Sequence, residues 1–134
     1  MIAGESTSSR RQIKKWKKQR SERGFSDFDV MDIDDWFLMI IPEMLDELIK
    51  HYQGYPSWME CEYRNKNNLT QTELSNEQQD KMDNACMNKW GTILKKMRKA
   101  FLKASEPGYS HTYNDPNRKK ALSLFVKYFD DLWY

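Results

Sequence analysis

The feature that most constrains the fold is a set of apolar residues that recur at intervals of three and four. The first and longest set comprises Val30, Ile33, Phe37, Ile40, Ile41, Met44, Leu45, Leu48 and Tyr52. This spacing places its members on one side of an α-helix. Similar stripes run from Met82 to Phe101 and from Leu122 to Trp133, and no segment alternates with a period of two. The pattern predicts an all-α fold, a small bundle of three main helices.

Helix boundaries are marked by capping residues. Ser26 precedes the first stripe and has Asp29 three positions later, and Ser75 precedes the second with Gln78 three positions later. Such pairs are typical of capping boxes. Asp115 followed by a proline predicts the start of the third helix. The segments 54–56 (Gly-Tyr-Pro) and 105–108 (Ser-Glu-Pro-Gly) predict where the first two helices end.

Two residues interrupt the stripes. Pro42 lacks an amide hydrogen, so we expect a kink near Leu38 to Pro42 or two helices that share one face, with an earlier break around residues 32–34. Gly91, within the second stripe, indicates a close approach by a neighbouring element. Segment 57–72 has no sustained period, and its run Asn-Lys-Asn-Asn at 65–68 predicts an exposed loop.

Charge is segregated along the chain. The whole sequence carries 22 Lys and Arg against 20 Asp and Glu. Between positions 10 and 23, however, eight basic residues face one acid, a net charge of +7; these are Arg10, Arg11, Lys14, Lys15, Lys17, Lys18, Arg20 and Arg23. The next 26 positions, 24–49, contain eight acids and no Lys or Arg. The near-neutral total therefore conceals a strong local separation of charge.

This charge pattern suggests two parts. We predict a flexible basic N-terminal arm at 1–23 and a single helical domain at 24–134. Ile13 and Trp16, three positions apart, are compatible with a short helix inside the arm. The charged start does not resemble a secretion signal, and no apolar run is long enough to cross a membrane, so we expect a cytosolic protein. Cys61 and Cys86 are expected to be free thiols.

Motifs for catalysis, metal binding and cofactor binding are not recognisable. Counted from Asp27, the positions where a calcium-binding EF-hand loop requires Gly and Glu hold Asp32 and Leu38. His51 and His111 match no recognisable metal-binding motif. We therefore expect no catalytic residues, no metal and no cofactor, that is, a non-enzymatic protein.

Two groups of residues are candidates for binding. The eight cations of the basic arm, together with Trp16, suit a nucleic acid, because cations displace phosphate counterions and an indole stacks on an unpaired base. The same arm suits an acidic protein surface, including an acidic neighbour within this chain. The second group consists of aromatic residues outside the stripes, namely Trp36, Tyr55, Trp58, Tyr63, Tyr109 and Tyr113; of these we expect Trp58 and Tyr63 to pack back on the body.

The segment from Gly24 to Asp34, with Ile40-Ile41-Pro42 and Gly54-Tyr55-Pro56, resembles a group of small uncharacterised bacteriophage proteins. Their pattern is a basic N-terminus, a G-[FW]-S-D-x-D-x-W-x-[LM]-D segment and a G-[YHW]-P turn. The residues Gly24, Ser26, Asp27, Asp29, Asp34 and Pro56 match it, whereas Met31 stands at the tryptophan position, Ile33 at the Leu or Met position, and segment 61–79 is longer. The resemblance covers roughly 14–134 and implies a viral protein in the cytoplasm of an infected bacterium, without implying an activity.

Together these features favour an accessory protein that binds a host or phage protein, for example one that antagonises a host defence. A nucleic-acid-binding protein that uses the basic arm and a virion or assembly component are the alternatives. The sequence predicts no oligomeric state.

Overall fold

In a computed structural model, the described residues, 9–70, 73–105 and 115–133, form α-helices and their connections. Six α-helices are present in them, and no strand. They are α1 (Arg10–Arg23), α2 (Asp27–Met31), α3 (Ile33–His51), α4 (Ser57–Lys66), α5 (Asn76–Ala104) and α6 (Pro116–Lys127), and a short 3-10 helix, Phe129–Asp131, follows α6. The predicted all-α fold is confirmed, and α3, α5 and α6 pack together.

The described contacts fall into two compact units. Unit 1 extends to Ile40 and unit 2 begins at Ile41, so the division lies within α3. The predicted division into an arm at 1–23 and a domain at 24–134 stays a prediction.

Helix α1 covers positions 10–23 of the predicted basic arm. It begins after Ser9, whose hydroxyl accepts a hydrogen bond from the Gln12 amide while the Gln12 side chain accepts one from the Ser9 amide. It ends at Gly24, whose φ of 85° lies in the left-handed region that favours glycine. Caps at both ends and the packing of Trp16 favour this helix, with which the spacing of Ile13 and Trp16 is compatible. Residues 1–8 lie outside the described residues.

Helix α3 runs through Pro42 without interruption. The break lies earlier, at Asp32, which separates α2 from α3 with φ −138° and ψ 68°. This confirms the expected early break, whereas the alternative of two helices that meet at Pro42 is wrong. Pro42 is buried, and its carbonyl accepts a hydrogen bond of 3.3 Å from Arg98 Nε of α5. Burial and this bond offset part of the cost of proline inside a helix, about 3 kcal/mol.

Helix α4 was not predicted. The segment Ser57–Lys66, in which no sustained period was found, is helical and begins after Pro56, so the exposed loop predicted at 65–68 overlaps only the end of this helix. The periodicity argument failed because α4 buries only Met59, so no apolar stripe marks it. As expected, Trp58 packs on the body, with its ring 6.1 Å from that of Tyr128.

Helix α5 is the central element of unit 2. Its capping box of Ser75 and Gln78 and its end at Ser105 are as predicted. The buried stripe is also as predicted, except that Ile93 is only half-buried; it comprises Met82, Cys86, Trp90, Leu94, Met97 and Phe101. Such a run of buried side chains supplies most of the apolar core of this unit.

Helix α6 packs on α5, but not along the predicted stripe. Its start at Asp115, which accepts a bond from the Asn117 amide at 2.9 Å, is as predicted. Ala121 and Tyr128 are buried, and Phe125 lies edge-on to Phe101 of α5 at 5.9 Å. Four other members of the predicted stripe are exposed, namely Leu122, Val126, Phe129 and Trp133. The remaining member, Leu132, is half-buried. The packed side of this helix therefore shares Phe125 with the predicted stripe, whereas its buried residues, Ala121 and Tyr128, each lie one position before a stripe residue.

Gly91 lies against Tyr52, as the sequence predicted for a close approach. The Tyr52 hydroxyl would meet a Cβ atom added at this position, and it donates a hydrogen bond of 3.2 Å to the Met87 carbonyl of α5. The absence of a side chain at 91 thus allows the residue that follows α3 to reach the backbone of α5.

We predict that Gly91→Ala destabilises the protein by about 1 kcal/mol, because displacement of Tyr52 costs more than the roughly 1 kcal/mol gained from the better helix propensity of alanine. In a Tyr52→Phe background, which lacks the hydroxyl, the same substitution should be neutral or stabilising. Urea unfolding of the four proteins gives the coupling free energy. Equal effects of Gly91→Ala in both backgrounds would show that the hydroxyl is not the obstacle.

Candidate interaction surfaces

Unit 1 is organised around a buried carboxylate. Asp29 is the third residue of α2 and accepts a hydrogen bond of 2.8 Å from the Ser26 amide, while its own amide donates to the Ser26 hydroxyl at 3.2 Å. Arg20 of α1 donates to both oxygens of Asp29, at 3.0 Å from Nε and 2.9 Å from Nη2. The predicted capping box is therefore present. Its Asp29 also joins α1 to α2 through a bidentate ion pair with Arg20.

A second carboxylate binds the same helix nearer to solvent. Asp27 accepts hydrogen bonds from Gln19 Nε2 at 2.9 Å and from Arg23 Nη2 at 2.7 Å, and Lys15 lies 3.7 Å away. In return, Gln19 accepts a bond of 2.9 Å from the Asp27 amide. One alternative from the sequence was that the basic arm binds an acidic neighbour within this chain. Asp27 and Asp29 are such a neighbour, and they contact three cations of the arm, Lys15, Arg20 and Arg23.

These contacts alter the acidity of both groups. Burial raises the pKa of Asp29, but the hydrogen bonds from Arg20 and Ser26 outweigh it, and the pKa is lowered. The pKa of Asp27 is lowered mainly by the hydrogen bonds from Gln19 and Arg23. Both carboxylates are therefore ionised at neutral pH and attract α1 in that state.

Trp16 is part of the packing of this unit. Its side chain is only 7% exposed, and its ring centroid lies 4.7 Å from that of Phe28 in α2. The sequence offered this indole as a platform for an unpaired base, but in the folded structure the ring is covered.

Five cations of α1 remain exposed on the other side of the helix. We call them the cationic face: Arg10, Arg11, Lys14, Lys17 and Lys18. Among the described residues, Lys18 has one weak ion pair, with Glu22 at 3.8 Å, and no carboxylate pairs with the other four. The positive charge of the basic arm is therefore divided into a neutralised side and a free side.

Unit 2 has an open apolar groove. Its wall residues come from α3, from α6 and from the residues that follow α6, and its volume is about 730 Å³. We call it the apolar groove: Ile41, Glu43, Met44, Leu45, Glu47, Leu48, Phe125, Phe129, Leu132 and Trp133. Met44 is 61% exposed and Trp133 is 73% exposed, so large apolar side chains at its edge face solvent.

The groove has an acidic edge. Glu43 and Glu47 are both exposed, and the described lining contains no basic side chain. Glu47 lies 3.6 Å from Lys50 and 3.4 Å from His51, on the same helix. An apolar floor with carboxylates along one edge suits an apolar segment that carries positive charge.

The aromatic residues predicted as a partner surface lie in several places. Tyr55 donates a hydrogen bond of 2.5 Å to Asp83. The pKa of Tyr55 is raised, mainly by burial and secondly by the Asp83 carboxylate. Trp58 donates to Asp131 at 3.0 Å, and Trp36 and Tyr63 are half-buried. Tyr109 and Tyr113 lie outside the described residues. Tyr55 lines a pocket of unit 2 together with Trp133, which is also part of the apolar groove. Trp36 belongs to unit 1. The exposed rings of the groove, Phe129 and Trp133, were instead assigned to the core.

The positions shared with the phage pattern are helix boundaries. Gly24 ends α1, Ser26, Asp27 and Asp29 begin α2, Asp34 lies in the first turn of α3, and Pro56 precedes α4. Each residue suits its place by backbone conformation, capping or the helix dipole. Their local roles account for the spacing of the motif.

An aspartate cluster and a buried thiol have local structural roles. The carboxylates of Asp32, Asp34 and Asp35 lie within 4.8 Å of one another where α3 begins, a place that suits negative charge. The Cys86 thiol is buried and donates to the Met59 carbonyl at 3.7 Å, and burial raises its pKa. A protonated, buried thiol is a poor nucleophile.

Comparison with known proteins gives no relative: no family, curated protein or solved structure matches the chain significantly. None of the described helices has the length and apolar character needed to span a membrane.

We predict that Asp29→Asn raises hydrogen-exchange rates of the α1 amides about thirtyfold. The reason is that hydrogen bonds to a charged group contribute about 2 kcal/mol, and every 1.4 kcal/mol corresponds to a factor of ten. The matched control, Asp27→Asn, should raise them less because Asp27 is half exposed. Equal effects of the two substitutions would contradict the central role of Asp29.

The ion pair of Arg20 and Asp29 makes the stability of unit 1 depend on pH. Because the pKa of Asp29 is lowered on folding, its stabilisation is present above the ordinary value of 3.8 and is lost as the pH falls below it through the folded value. Protection of α1 should therefore fall in this range in the unaltered protein and change less in Asp29→Asn.

Proposed function

We propose that the protein acts by binding another protein in the apolar groove, and that it is not an enzyme. The observation that carries the proposal is that α6 and the residues after it are apolar on two sides. One side packs on α5, through Ala121 and Tyr128, while Phe129 and Trp133 line the open groove. Large apolar side chains that remain together at a surface are typical of interaction sites.

A peptide segment suits this groove better than a small molecule does. Pockets for small molecules surround most of their ligand, whereas here the rim residues Met44 and Trp133 are largely exposed. One wall is a helix, and a neighbouring helix that presents apolar residues at every third or fourth position is a common partner for such a surface. Glu43 and Glu47 favour a partner with Lys or Arg beside those apolar residues.

The resemblance to small phage proteins is the reason to propose a phage or bacterial partner in the cytoplasm of an infected cell. Inhibition of a host defence protein is one action of this kind. This part of the proposal depends on the sequence pattern alone.

Selection from a displayed library of helical peptides tests the groove without a known partner. We predict enrichment of peptides with apolar residues at i, i+3 or i+4, and i+7, next to Lys or Arg. Met44→Glu should weaken binding of an enriched peptide on the order of tenfold or more, since loss of an interface anchor costs above about 1 kcal/mol. The matched control is Met31→Glu, which changes an exposed methionine outside the groove and should leave binding unchanged.

Three results would contradict the proposal. They are enrichment of acidic peptides, equal effects of the two substitutions, and a dimer in sedimentation that Met44→Glu dissociates. The last would show that a second copy of the chain fills the groove.

A further inference from the structure

We infer that the cationic face of α1 binds the phosphate backbone of a nucleic-acid duplex. The five residues lie within an arc of roughly 120° on a helix with 3.6 residues per turn. Trp16 and Arg23 lie on the opposite side of that helix, where α2 is bound. The arc also contains Ser21, and no carboxylate lies within it. Glu22 lies at its edge and pairs with Lys18 at 3.8 Å. The cations therefore form one continuous surface that points away from the helix's own partner.

The anchoring of α1 prepares this surface for binding. Arg20 is held by Asp29, and Gln19 and Arg23 are held by Asp27. A helix fixed in this way loses less conformational entropy on binding than a flexible arm would. From Arg10 to Lys18 the cations extend about 12 Å along the helix axis, a length over which duplex DNA carries about seven phosphate charges.

The composition of the face favours a phosphate backbone over a protein or a membrane. The core of a protein interface is enriched in apolar and aromatic anchors, and a helix that binds at a membrane surface inserts an apolar side into the lipid. On α1 the one aromatic residue, Trp16, is covered by Phe28, and Ile13 is half-buried. Phosphate contacts require only the cations that the face displays.

The covered indole also favours duplex over single-stranded nucleic acid. Proteins that bind single strands usually stack bases on exposed aromatic rings. The cationic face has none. Binding through backbone phosphates alone depends little on base sequence and depends strongly on salt.

The test is a fluorescence anisotropy titration of the full chain with duplex DNA, duplex RNA and single-stranded DNA of equal length, over a series of salt concentrations. The test variant is Arg11→Gln/Lys14→Gln/Lys18→Gln. The matched control is Lys95→Gln/Lys96→Gln/Lys99→Gln, which removes the same charge from exposed positions of α5. Lys14→Gln alone serves as a milder variant, and helix content is measured for each protein.

We expect the unaltered protein to bind a duplex with a slope of log K against log salt near −4.5, about −0.9 for each of five contacts. The test variant should lower the magnitude of that slope by about 2.7, and Lys14→Gln by about 0.9, while the control keeps the slope. Equal loss in the control, an unchanged slope in the test variant, or tighter binding to single strands would overturn the inference. So would binding to vesicles of anionic lipid without binding to a duplex.

Discussion

The packing of α6 on α5 is the constraint on which unit 2 depends. Trp90 and Phe101 of α5 are buried, and they meet Tyr128 at 5.8 Å and Phe125 at 5.9 Å, each edge to face. Aromatic pairs in this arrangement add about 0.5–1.5 kcal/mol to the contribution of the area they bury. These contacts fix the rotation of α6 about its own axis. The rotation in turn leaves Val126 and Phe129 in solvent and places Phe129 and Trp133 along the groove.

In unit 1 the corresponding constraint is electrostatic. Asp27 and Asp29 neutralise one side of α1, and the other side keeps its positive charge. An almost neutral protein therefore presents a strongly cationic helix face. The buried ion pair is supported by the capping box, since the Asp29 carboxylate that accepts from Arg20 also accepts from the Ser26 amide. Two interactions that a sequence shows separately, a helix cap and a charge pair, share one side chain.

The sequence predicted what depends on local chemistry. Ser26, Ser75 and Asp115 mark helix starts because their side chains bond to amides two or three residues away, and those partners are visible in the chain. Gly91 predicted a close approach, although Tyr52 as its neighbour was not predictable. The all-α class followed from the periodicity of the stripes.

What depends on tertiary packing was predicted poorly. In α6 apolar residues occur on two sides, so spacing alone does not say which side meets α5 and which remains exposed. Helix α4 has one buried residue, Met59, and therefore no stripe to detect. Trp16 was expected to be available for stacking. Phe28, which covers it, lies in the next helix, and the sequence does not show that the two rings meet. The groove was missed for the same reason: Phe129 and Trp133 were assigned to the core.

The central claim, that the apolar groove is open in the free protein, is tested most directly by the rate at which each methionine is oxidised by hydrogen peroxide, followed by peptide mass spectrometry. Met44 should react about as fast as Met31, which is also exposed, and much faster than the buried Met59, Met82 and Met97. If Met44 were instead protected like the buried three while Met31 reacted, the groove would already be covered. That result would contradict a binding site that awaits a partner.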